Sequence, residues 1–291
     1  MTDHRLCIFG EVLFDHFPDG SRVLGGAPFN VAWHLQAFQQ SPYFVSRVGA
    51  DPEGEQIRQS MHEWGMNANG LQTDAHLGTG RVTVSFDDGE PQYDIVHPCA
   101  YDAIESPAVA ASQLLYHGSL AVRSPTSMQA LRETIDAGDG TVFLDVNLRP
   151  PWWNSEAIHA LLRSADWVKL NADELAQLDD AHAGAPEPAR SFIDAHDLKG
   201  LILTHGAKGA ELLTRDGSRI SIAPGKSEKV VDTVGAGDAF ASVIILGLLQ
   251  QWPFETTLQR AQIFASRIVG NRGATVSDPD FYQAFRDDWN L

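Results

Sequence analysis

The segment VDTVGAGDAFA at residues 231–241 is the most informative part of the sequence. A short β-like run precedes it at residues 229–231, and an apolar helical pattern follows it from Ala239 to about Leu249. Its two glycines therefore fall at a predicted junction between a loop and a helix. The first turn of a helix carries unpaired N–H groups and a partial positive charge, and glycines let a ligand approach those groups closely. We predict an anion-binding site, suited to a phosphate, at this junction.

Asp238 adds a carboxylate to the first turn of the same helix. A carboxylate repels a phosphate, but it has a use there if it accepts the proton of a hydroxyl that attacks the phosphorus. The helix N-terminus is expected to lower the pKa of Asp238, and a weak base is sufficient because the hydroxyl loses its proton late in a loose transition state. The simpler alternative is a glycine-rich turn with an acidic residue that stabilises the helix start, and an isolated G-x-G-D favours that alternative.

Two other nucleotide-binding motifs are excluded in this part of the chain. Gly235, Gly237 and Phe240 form G-x-G-x-x-F, which lacks the third glycine of a dinucleotide-binding fingerprint. The GKS run at residues 225–227 lacks the earlier glycine of a P-loop, because Ile220 stands in its place, and no helical pattern follows.

Length, charge and hydropathy restrict the classes of protein that fit the chain. With 291 residues and no internal change of composition, it is predicted to form one α/β domain over residues 1–291. Cys7 and Cys99 form no C-x-x-C pair, the first residues lack an apolar signal-peptide core and no apolar run could span a membrane, so we expect a soluble cytoplasmic protein. A net charge of −17 argues against nucleic-acid binding through a basic face. An anionic ligand must then be held by N–H groups, a metal or a few arginines.

Runs typical of β-strands alternate with helical patterns through most of the chain, which predicts a mostly parallel sheet flanked by helices. The predicted strands are residues 6–9, 43–48, 113–117, 141–146, 166–170 and 201–204, with a hairpin at 210–214 and 219–222. The predicted helices run from the Gly25-Gly26 pair to Phe38 and over 51–64, 125–137 and 258–269. Within the strand at 166–170, Trp167 is expected to pack in the core.

Residues 78–96 depart from this alternation of strands and helices. Apolar and polar residues alternate on either side of an Asp88-Gly89 turn, which predicts an amphipathic hairpin. Such a hairpin could cover a binding site, and an ordinary hairpin at a sheet edge is the alternative.

Polar residues follow several predicted strands, at the edge of the sheet where α/β proteins place ligands. Asn30, just after Gly25-Gly26, could bind sugar hydroxyls or cap its helix. Asn171 and Glu174 have the spacing of a capping box, which local sequence favours, although they could instead reach phosphate oxygens or water on Mg²⁺. Asp51 is expected to be a structural helix cap.

The order of these motifs resembles that of the ribokinase-like (PfkB) sugar kinases over nearly the whole chain. Gly25-Gly26 with Asn30 comes first, N-x-x-E at residues 171–174 follows, T-x-G-x-x-G begins at Thr204, and DTVGAGD at residues 232–238 is the most specific motif. The segments at residues 25–30, 97–104 and 145–153 are most similar to fructokinases. Ala27 occupies the position where ribokinases usually have a lysine, which disfavours a pentose as substrate.

The resemblance implies the ribokinase-like fold, with a small β-sheet lid formed from about residues 11–24 and 78–100. It implies that Asp238 is the catalytic base and that an anion hole is formed by the N–H groups of Gly235, Ala236 and Gly237. The sugar would be held by Asp15, Gly26 and Asn30, with Arg149 at the sugar or the phosphates.

The resemblance also implies cofactors and ions. Asn171 and Glu174 would organise Mg²⁺ and the phosphates, with Glu174 acting through water. ATP would lie along Thr204, Gly206, Gly209 and Asn271. A monovalent cation would be held by Asp232 and Ser277, with carbonyl oxygens near Ile268, Asn271 and Gly273. Activation by K⁺ and a homodimer formed through the lid both remain open.

We therefore expect an ATP- and Mg²⁺-dependent kinase of a free hexose, with fructose converted to fructose 6-phosphate. A kinase of another sugar, a sugar acid or a nucleoside is the main alternative. A non-catalytic sugar sensor with the same fold is a further alternative, which the presence of Asp238 disfavours. Fold alone does not determine the acceptor, because one fold hosts many substrates.

Overall fold

The computed structural model describes residues 4–87, 90–107, 112–178, 187–223 and 231–291. The predicted Asp88-Gly89 turn, the GKS run at 225–227 and the first two residues of the predicted strand at 229–231 lie outside these ranges. Val231, the last residue of that strand prediction, is in a bend, so the prediction is wrong at this position.

The strands form two separate sheets. Nine of the described strands form the large sheet, namely β1 (His4–Phe9), β4 (Tyr43–Gly49), β5 (Leu71–Asp74), β8 (Ser112–His117), β9 (Thr141–Asp145), β10 (Trp167–Asn171), β11 (Gly200–Thr204), β12 (Ala210–Thr214) and β13 (Arg219–Ile222). Their spatial order is β13-β12-β11-β10-β9-β8-β1-β4-β5. Pairing is parallel from β5 to β11, and β12 and β13 are antiparallel additions at one edge. The predicted mostly parallel sheet is confirmed.

Helices cover both faces of this sheet. They are α1 (Ala27–Ala37), α2 (Pro52–Glu63), α3 (Pro125–Asp136), α4 (Ser155–Leu162), α5 (Ala172–Leu178), α6 (Pro188–Ala195), α7 (Ala236–Gln250), α8 (Phe254–Ile268) and α9 (Pro279–Trp289). Leu6 and Ile8 of β1 pack in a core with α1, α2, α7, α8 and α9, whereas Cys7 and Phe9 pack in a second core with α3, α4, α5 and α6. Because side chains alternate between the two faces of a strand, each buried strand contributes to both cores.

Four further strands of the described chain form the small sheet, namely β2 (Leu13–His16), β3 (Arg22–Gly25), β6 (Gly80–Asp87) and β7 (Glu90–Ile95). Their spatial order is β3-β2-β6-β7. Pairs β2–β3 and β6–β7 are antiparallel hairpins, and β2 joins β6 in parallel. The predicted amphipathic hairpin at 78–96 is thus present and completes a sheet with residues 13–25.

The parallel strands point their carboxyl ends at one edge of the large sheet, and α7 begins at the same edge. The loops after β1, β9 and β11 and the carboxyl end of β10 therefore lie near the glycine-rich loop before α7. In the part of the chain that the structure describes, no helix is both long and apolar enough to cross a membrane.

Candidate active site

A cavity of about 560 Å³ separates the small sheet from the carboxyl edge of the large sheet. The small sheet contributes Leu13, Asp15, Gly25, Val82, Tyr93 and Ile95 to its walls. The opposite wall contains Glu11, Asn30, Arg149, Lys169 and residues of the loop before α7, including Asp238. Residues far apart in the sequence thus line one site, and all four residues predicted to bind the sugar are among them, namely Asp15, Gly26, Asn30 and Arg149.

The glycine-rich loop turns sharply at Gly235 before α7 begins. Gly235 has a φ of 78°, and a Cβ there would lie 2.3 Å from the Cβ of Ala274. Only glycine fits both this conformation and this close approach. The turn places Asp238 in the first turn of α7, as predicted, with its side chain half-buried at the cavity.

Asp238 is held by a hydrogen bond from Asn30, whose Nδ2 donates to Oδ2 at 2.8 Å. Burial raises the pKa of Asp238 to about 6, the Asn30 hydrogen bond opposes this rise, and the nearby Asp145 carboxylate adds to it. The expectation that the helix N-terminus would lower this pKa is wrong in sign. Part of Asp238 faces the cleft, but protein atoms displace most of the water around its carboxylate. The resulting rise in pKa is larger than the lowering by the Asn30 hydrogen bond and by the charges of Lys169 and Arg149.

Asn30 is 4% exposed, and its Oδ1 has no hydrogen-bond partner. It lies inside α1, whose N-cap position is Gly26, so the alternative that Asn30 caps the helix is wrong. Gly26 has a φ of 107°, and a Cβ there would lie 2.7 Å from the Glu11 carbonyl oxygen. This close packing places the start of α1 against the end of β1 and directs Asn30 into the cleft.

Asp15 and Arg149 face the same cavity from opposite walls. Burial raises the pKa of the half-buried Asp15 to about 6, and the positive charge of Arg149 opposes the rise. Arg149 is exposed, and its charge also acts on Glu11 and Asp238. Arg149 is therefore the cation shared by three carboxyl groups.

Glu11 is a site residue that sequence reasoning missed. It is 4% exposed, its Oε2 has no hydrogen-bond partner, and burial raises its pKa to about 7. A buried polar atom without a partner is uncommon and indicates a place where a ligand can donate a hydrogen bond. In the sequence, Glu11 is an acidic residue between the apolar runs at 6–9 and 12–14, and this interruption was the only signal.

Lys169 was also missed. It is buried in β10, and its Nζ lies 2.9 Å and 2.8 Å from the two carboxylate oxygens of Asp145. A Cβ added to Gly237 would lie 3.6 Å from this Nζ, so the ammonium group is beside the start of α7. Burial lowers the pKa of Lys169, but the Asp145 carboxylate outweighs it and raises the pKa overall. A lysine inside an otherwise apolar strand, WVKLN, was the available signal.

A second cavity of about 400 Å³ lies on the other side of the glycine-rich loop. Its lining includes Thr204, Gly206 and Gly209, the three residues of the predicted nucleotide motif, but not Asn271. Thr233 and Gly237 line both cavities, so the two spaces meet at the start of α7. Its mostly apolar lining suits a nucleotide base, and its junction with α7 suits phosphates.

Asn171 and Glu174 form the reciprocal hydrogen bonds of a capping box, as local sequence favoured. Asn171 N donates to Glu174 Oε2 at 2.8 Å, and Glu174 N donates to Asn171 Oδ1 at 2.9 Å. Glu174 Oε1 also accepts from Leu148 N at 2.8 Å. Glu174 therefore joins the end of β10 to the loop after β9, and an interaction with metal-bound water would use its remaining lone pairs.

The predicted cation-binding residues are brought together in part. The Asp232 carboxylate accepts hydrogen bonds from Gly273 N and Val234 N, each at 3.0 Å. Ile268 and Asn271 lie on the adjoining turn, where Asn271 N donates to Ile268 O at 2.8 Å. Ser277 is exposed beyond this turn. Among the described residues no group of three or more His, Cys, Asp or Glu side chains could hold a metal ion.

Comparisons with known proteins agree on the family. The model of the pfkB family carbohydrate kinase matches residues 4–280. A fructokinase from Klebsiella pneumoniae is 31% identical over 264 residues, which cover 84% of this chain and 84% of that protein. The aminoimidazole riboside kinase from Salmonella enterica, complexed with aminoimidazole riboside and an ATP analog, superposes with a TM-score of 0.82 at 26% identity, over 96% of this chain and 99% of that one. Fructokinase from Vibrio cholerae O395, bound to fructose, ADP and calcium ion, superposes with a TM-score of 0.80 at 25% identity, over 96% and 98%.

Proposed function

The chain belongs to the pfkB family of carbohydrate kinases, and we propose that it transfers the γ-phosphoryl group of ATP to a hydroxyl of a free hexose, with fructose as acceptor and fructose 6-phosphate as product. The observation that carries the proposal is the position of Asp238 in the larger cavity, next to Gly237, which lines both cavities. A hydroxyl bound in one cavity would there meet the terminal phosphate of a nucleotide bound in the other.

The charges of the larger cavity favour a neutral acceptor. Glu11, Asp15 and Asp238 all line it, whereas Lys169 is already paired with Asp145 and leaves Arg149 as the available cation. A sugar acid or sugar phosphate would add a further negative charge beside three carboxyl groups, at a cost in binding free energy. A neutral polyol instead offers hydroxyl donors to carboxylates and to Asn30 Oδ1.

Asp238 acts as the general base in this proposal. A pKa of about 6 leaves it ionised at neutral pH and still able to accept the hydroxyl proton. A base whose pKa lies near the working pH contributes about 10²–10⁴-fold to the rate. Asn30 orients the carboxylate through its hydrogen bond, and its free Oδ1 can accept a hydrogen bond from the same sugar.

Positive charge for the transferred phosphoryl group comes from two features of this chain. The N–H groups of Gly235, Ala236 and Gly237 lie at the start of α7, where the helix dipole is positive. The Lys169 ammonium group lies beside Gly237 and adds a positive charge there, which its ion pair with Asp145 partly offsets. Mg²⁺, held by the phosphates of ATP and through water on Glu174, would supply further charge neutralisation.

The small sheet acts as the lid of this site. It forms one wall of the larger cavity through β2, β3, β6 and β7. By covering the acceptor it excludes water, so that the sugar and not water receives the phosphoryl group. In the same proposal, a monovalent cation such as K⁺ binds near Asp232 and stabilises the loop that precedes α7.

Fructose as acceptor is supported by the Klebsiella relative and by the Vibrio structure, which are named as fructokinases. A nucleoside-like acceptor is the second candidate, because the Salmonella structure holds aminoimidazole riboside and is similar over 96% of this chain. A cavity of about 560 Å³ has room for either molecule.

The experiment that tests the proposal is an ADP-release assay with purified protein, ATP and Mg²⁺ over a panel of acceptors. The panel contains fructose, glucose, ribose, a sugar acid, fructose 6-phosphate and a purine riboside. We expect the highest kcat/KM with fructose and at least tenfold less with each anionic sugar. A riboside as best acceptor would support the second candidate, and no turnover with any acceptor would refute the kinase proposal.

A further inference from the structure

The N-terminal turn of α2 is attached to the small sheet at two places. Asp51 caps the helix, as predicted, by accepting from Gly54 N at 2.8 Å. The same carboxylate accepts from Thr79 N at 2.7 Å, immediately before β6 begins at Gly80. This first attachment fixes the base of β6, and the second is made by Glu53.

Glu53 meets one histidine and two arginines, each from a different strand of the small sheet. Its Oε1 lies 2.9 Å from His16 Nε2 of β2 and 3.0 Å from Arg22 Nη1 of β3. Its Oε2 lies 3.3 Å from Arg81 Nη2 of β6. Glu53 itself is only 7% exposed, although charged residues at the start of a helix are usually in solvent.

The pairing of β2 with β3 shows that Glu53 and the larger cavity, where the acceptor is proposed to bind, lie on opposite faces of the small sheet. His16 lies opposite Arg22 in the β2–β3 pair and follows Asp15 directly in β2. Adjacent residues of a strand point to opposite faces of the sheet. Asp15 lines the cavity, so His16 and Arg22 extend from the other face, where they meet Glu53. Glu53 therefore holds the sheet from the face opposite Asp15.

We propose that Glu53 is a positioning residue, which keeps the small sheet on α2 so that Asp15 stays at the distance from Asn30 and Asp238 that a bound acceptor requires. This inference rests on the proposed function, because Asp15 is taken to bind the acceptor. Without the Glu53 carboxylate, Arg22 and Arg81 lose their shared counter-charge and repel each other. The small sheet would then separate from α2 more often, and Asp15 would move with it.

The alternative is that these contacts add only stability. Exposed ion pairs contribute little to stability, and Arg22 and Arg81 are 43% and 47% exposed. Their convergence on one nearly buried carboxylate differs from an exposed pair, because charge-assisted bonds strengthen as water is excluded. The two roles predict different kinetics, because loss of stability alone does not change the KM of the molecules that remain folded.

The test compares Glu53→Gln with Glu55→Gln, which removes one negative charge from an exposed position of the same helix. We expect Glu53→Gln to raise the KM for the acceptor about tenfold, the effect of losing about 1.4 kcal/mol of charge-assisted bonding. The KM for ATP should change less than twofold. ATP consumed without sugar phosphorylation should also rise, because the site is less well closed to water. Glu55→Gln should match wild type in all three measurements.

A second measurement does not depend on activity. Hydrogen exchange of the β2 and β6 amides should be at least fivefold faster in Glu53→Gln than in wild type, with exchange in β10 unchanged. If Glu53→Gln does not fold, the double substitution Arg22→Gln and Arg81→Gln replaces it, with the same expected results. If hydrogen exchange in β2 and β6 is unchanged, Glu53 does not hold the small sheet on α2. This conclusion does not depend on whether the protein phosphorylates any acceptor of the panel. Faster exchange with an unchanged acceptor KM would overturn the positioning role, whereas failure of every acceptor would count against the proposed function.

Discussion

Asn30 Nδ2 and Asp238 Oδ2 are 2.8 Å apart, which joins the starts of α1 and α7 across the cleft although the two residues are 208 positions apart in the sequence. This bond favours the ionised carboxylate, whereas burial favours the protonated one. The pKa of about 6 is the balance between the two. The distance between Asn30 and Asp238 should therefore influence the pH at which activity is lost.

Activity should therefore fall as the pH decreases through about 6, because protonated Asp238 cannot accept the hydroxyl proton. Asp15 titrates in the same range and adds to the loss. Asn30→Ala removes a bond that lowers the pKa of Asp238, so the acid limb of the kcat/KM profile should move to higher pH and the acceptor KM should rise. Profiles of kcat/KM from pH 5 to pH 9 for both proteins check this prediction. An acid limb at the same pH in both would contradict the account.

Replacement of Asp238 by Asn should stabilise the ligand-free protein at neutral pH. The pKa of Asp238 is about 6 in the folded protein, above the ordinary value of 3.8. Ionisation of this carboxyl group therefore lowers the free energy of unfolding progressively between about pH 4 and pH 6, and the whole loss of stability remains above pH 6. At pH 7.5 we expect Tm to rise by about 2–4 °C, which corresponds to about 1 kcal/mol. The difference should shrink at pH 4.5. Exposed Asp139→Asn is the control and should leave Tm unchanged at both pH values.

Gly235→Ala should disrupt the start of α7. The added Cβ would meet Ala274 at 2.3 Å in a residue whose φ is 78°. We expect a loss of about 1–3 kcal/mol in the free energy of unfolding and a loss of kcat of at least 100-fold, because the N–H groups of the predicted anion hole are displaced. Gly217→Ala is the matched control, since Gly217 has a φ of 92° but nothing within 4 Å of an added Cβ. Equal kcat losses in the two variants would count against a special role for the turn at Gly235.

Lys169→Met should reduce both stability and turnover, and the two effects can be separated. Loss of the ammonium group leaves the buried Asp145 carboxylate without its cationic partner and should cost about 3–5 kcal/mol. Adding Asp145→Asn should restore most of the stability. Turnover should stay at least 100-fold below wild type in the double variant, because the charge beside Gly237 is still missing. Recovery of turnover together with stability would mean that Lys169 is only structural.

Much of the fold follows from local sequence patterns. The strands β1, β4, β8, β9, β10 and β11 are apolar runs bounded by polar or turn residues, and all six were predicted within about two residues. Strand β5 was missed because Leu71–Asp74 has only four residues, three of which are polar. Helix α9 was missed although Phe281, Phe285 and Trp289 repeat with helical spacing.

Local sequence identified the cavity-lining residues that belong to motifs, and it missed those that are distinguished only by burial. Asp238 and Asn30 belong to glycine-containing motifs and line the larger cavity together. Glu11, Lys169 and Glu53 are single charged residues whose role depends on contacts with distant elements, which local patterns do not reveal. The sign of the Asp238 pKa shift was wrong for the same reason, because helix position is visible in the sequence and desolvation is not.

Phosphorylation of fructose by wild type and Asp238→Asn, measured as fructose 6-phosphate formed per enzyme molecule, tests the central claim most directly. Asn keeps the shape of the side chain and can still accept the bond from Asn30, so the cavity should be preserved while the base is lost. We predict that wild type forms fructose 6-phosphate with ADP in equal amounts and that Asp238→Asn loses about 10²–10⁴-fold in kcat. Turnover within a few-fold of wild type in Asp238→Asn would contradict the assignment of Asp238 as the base.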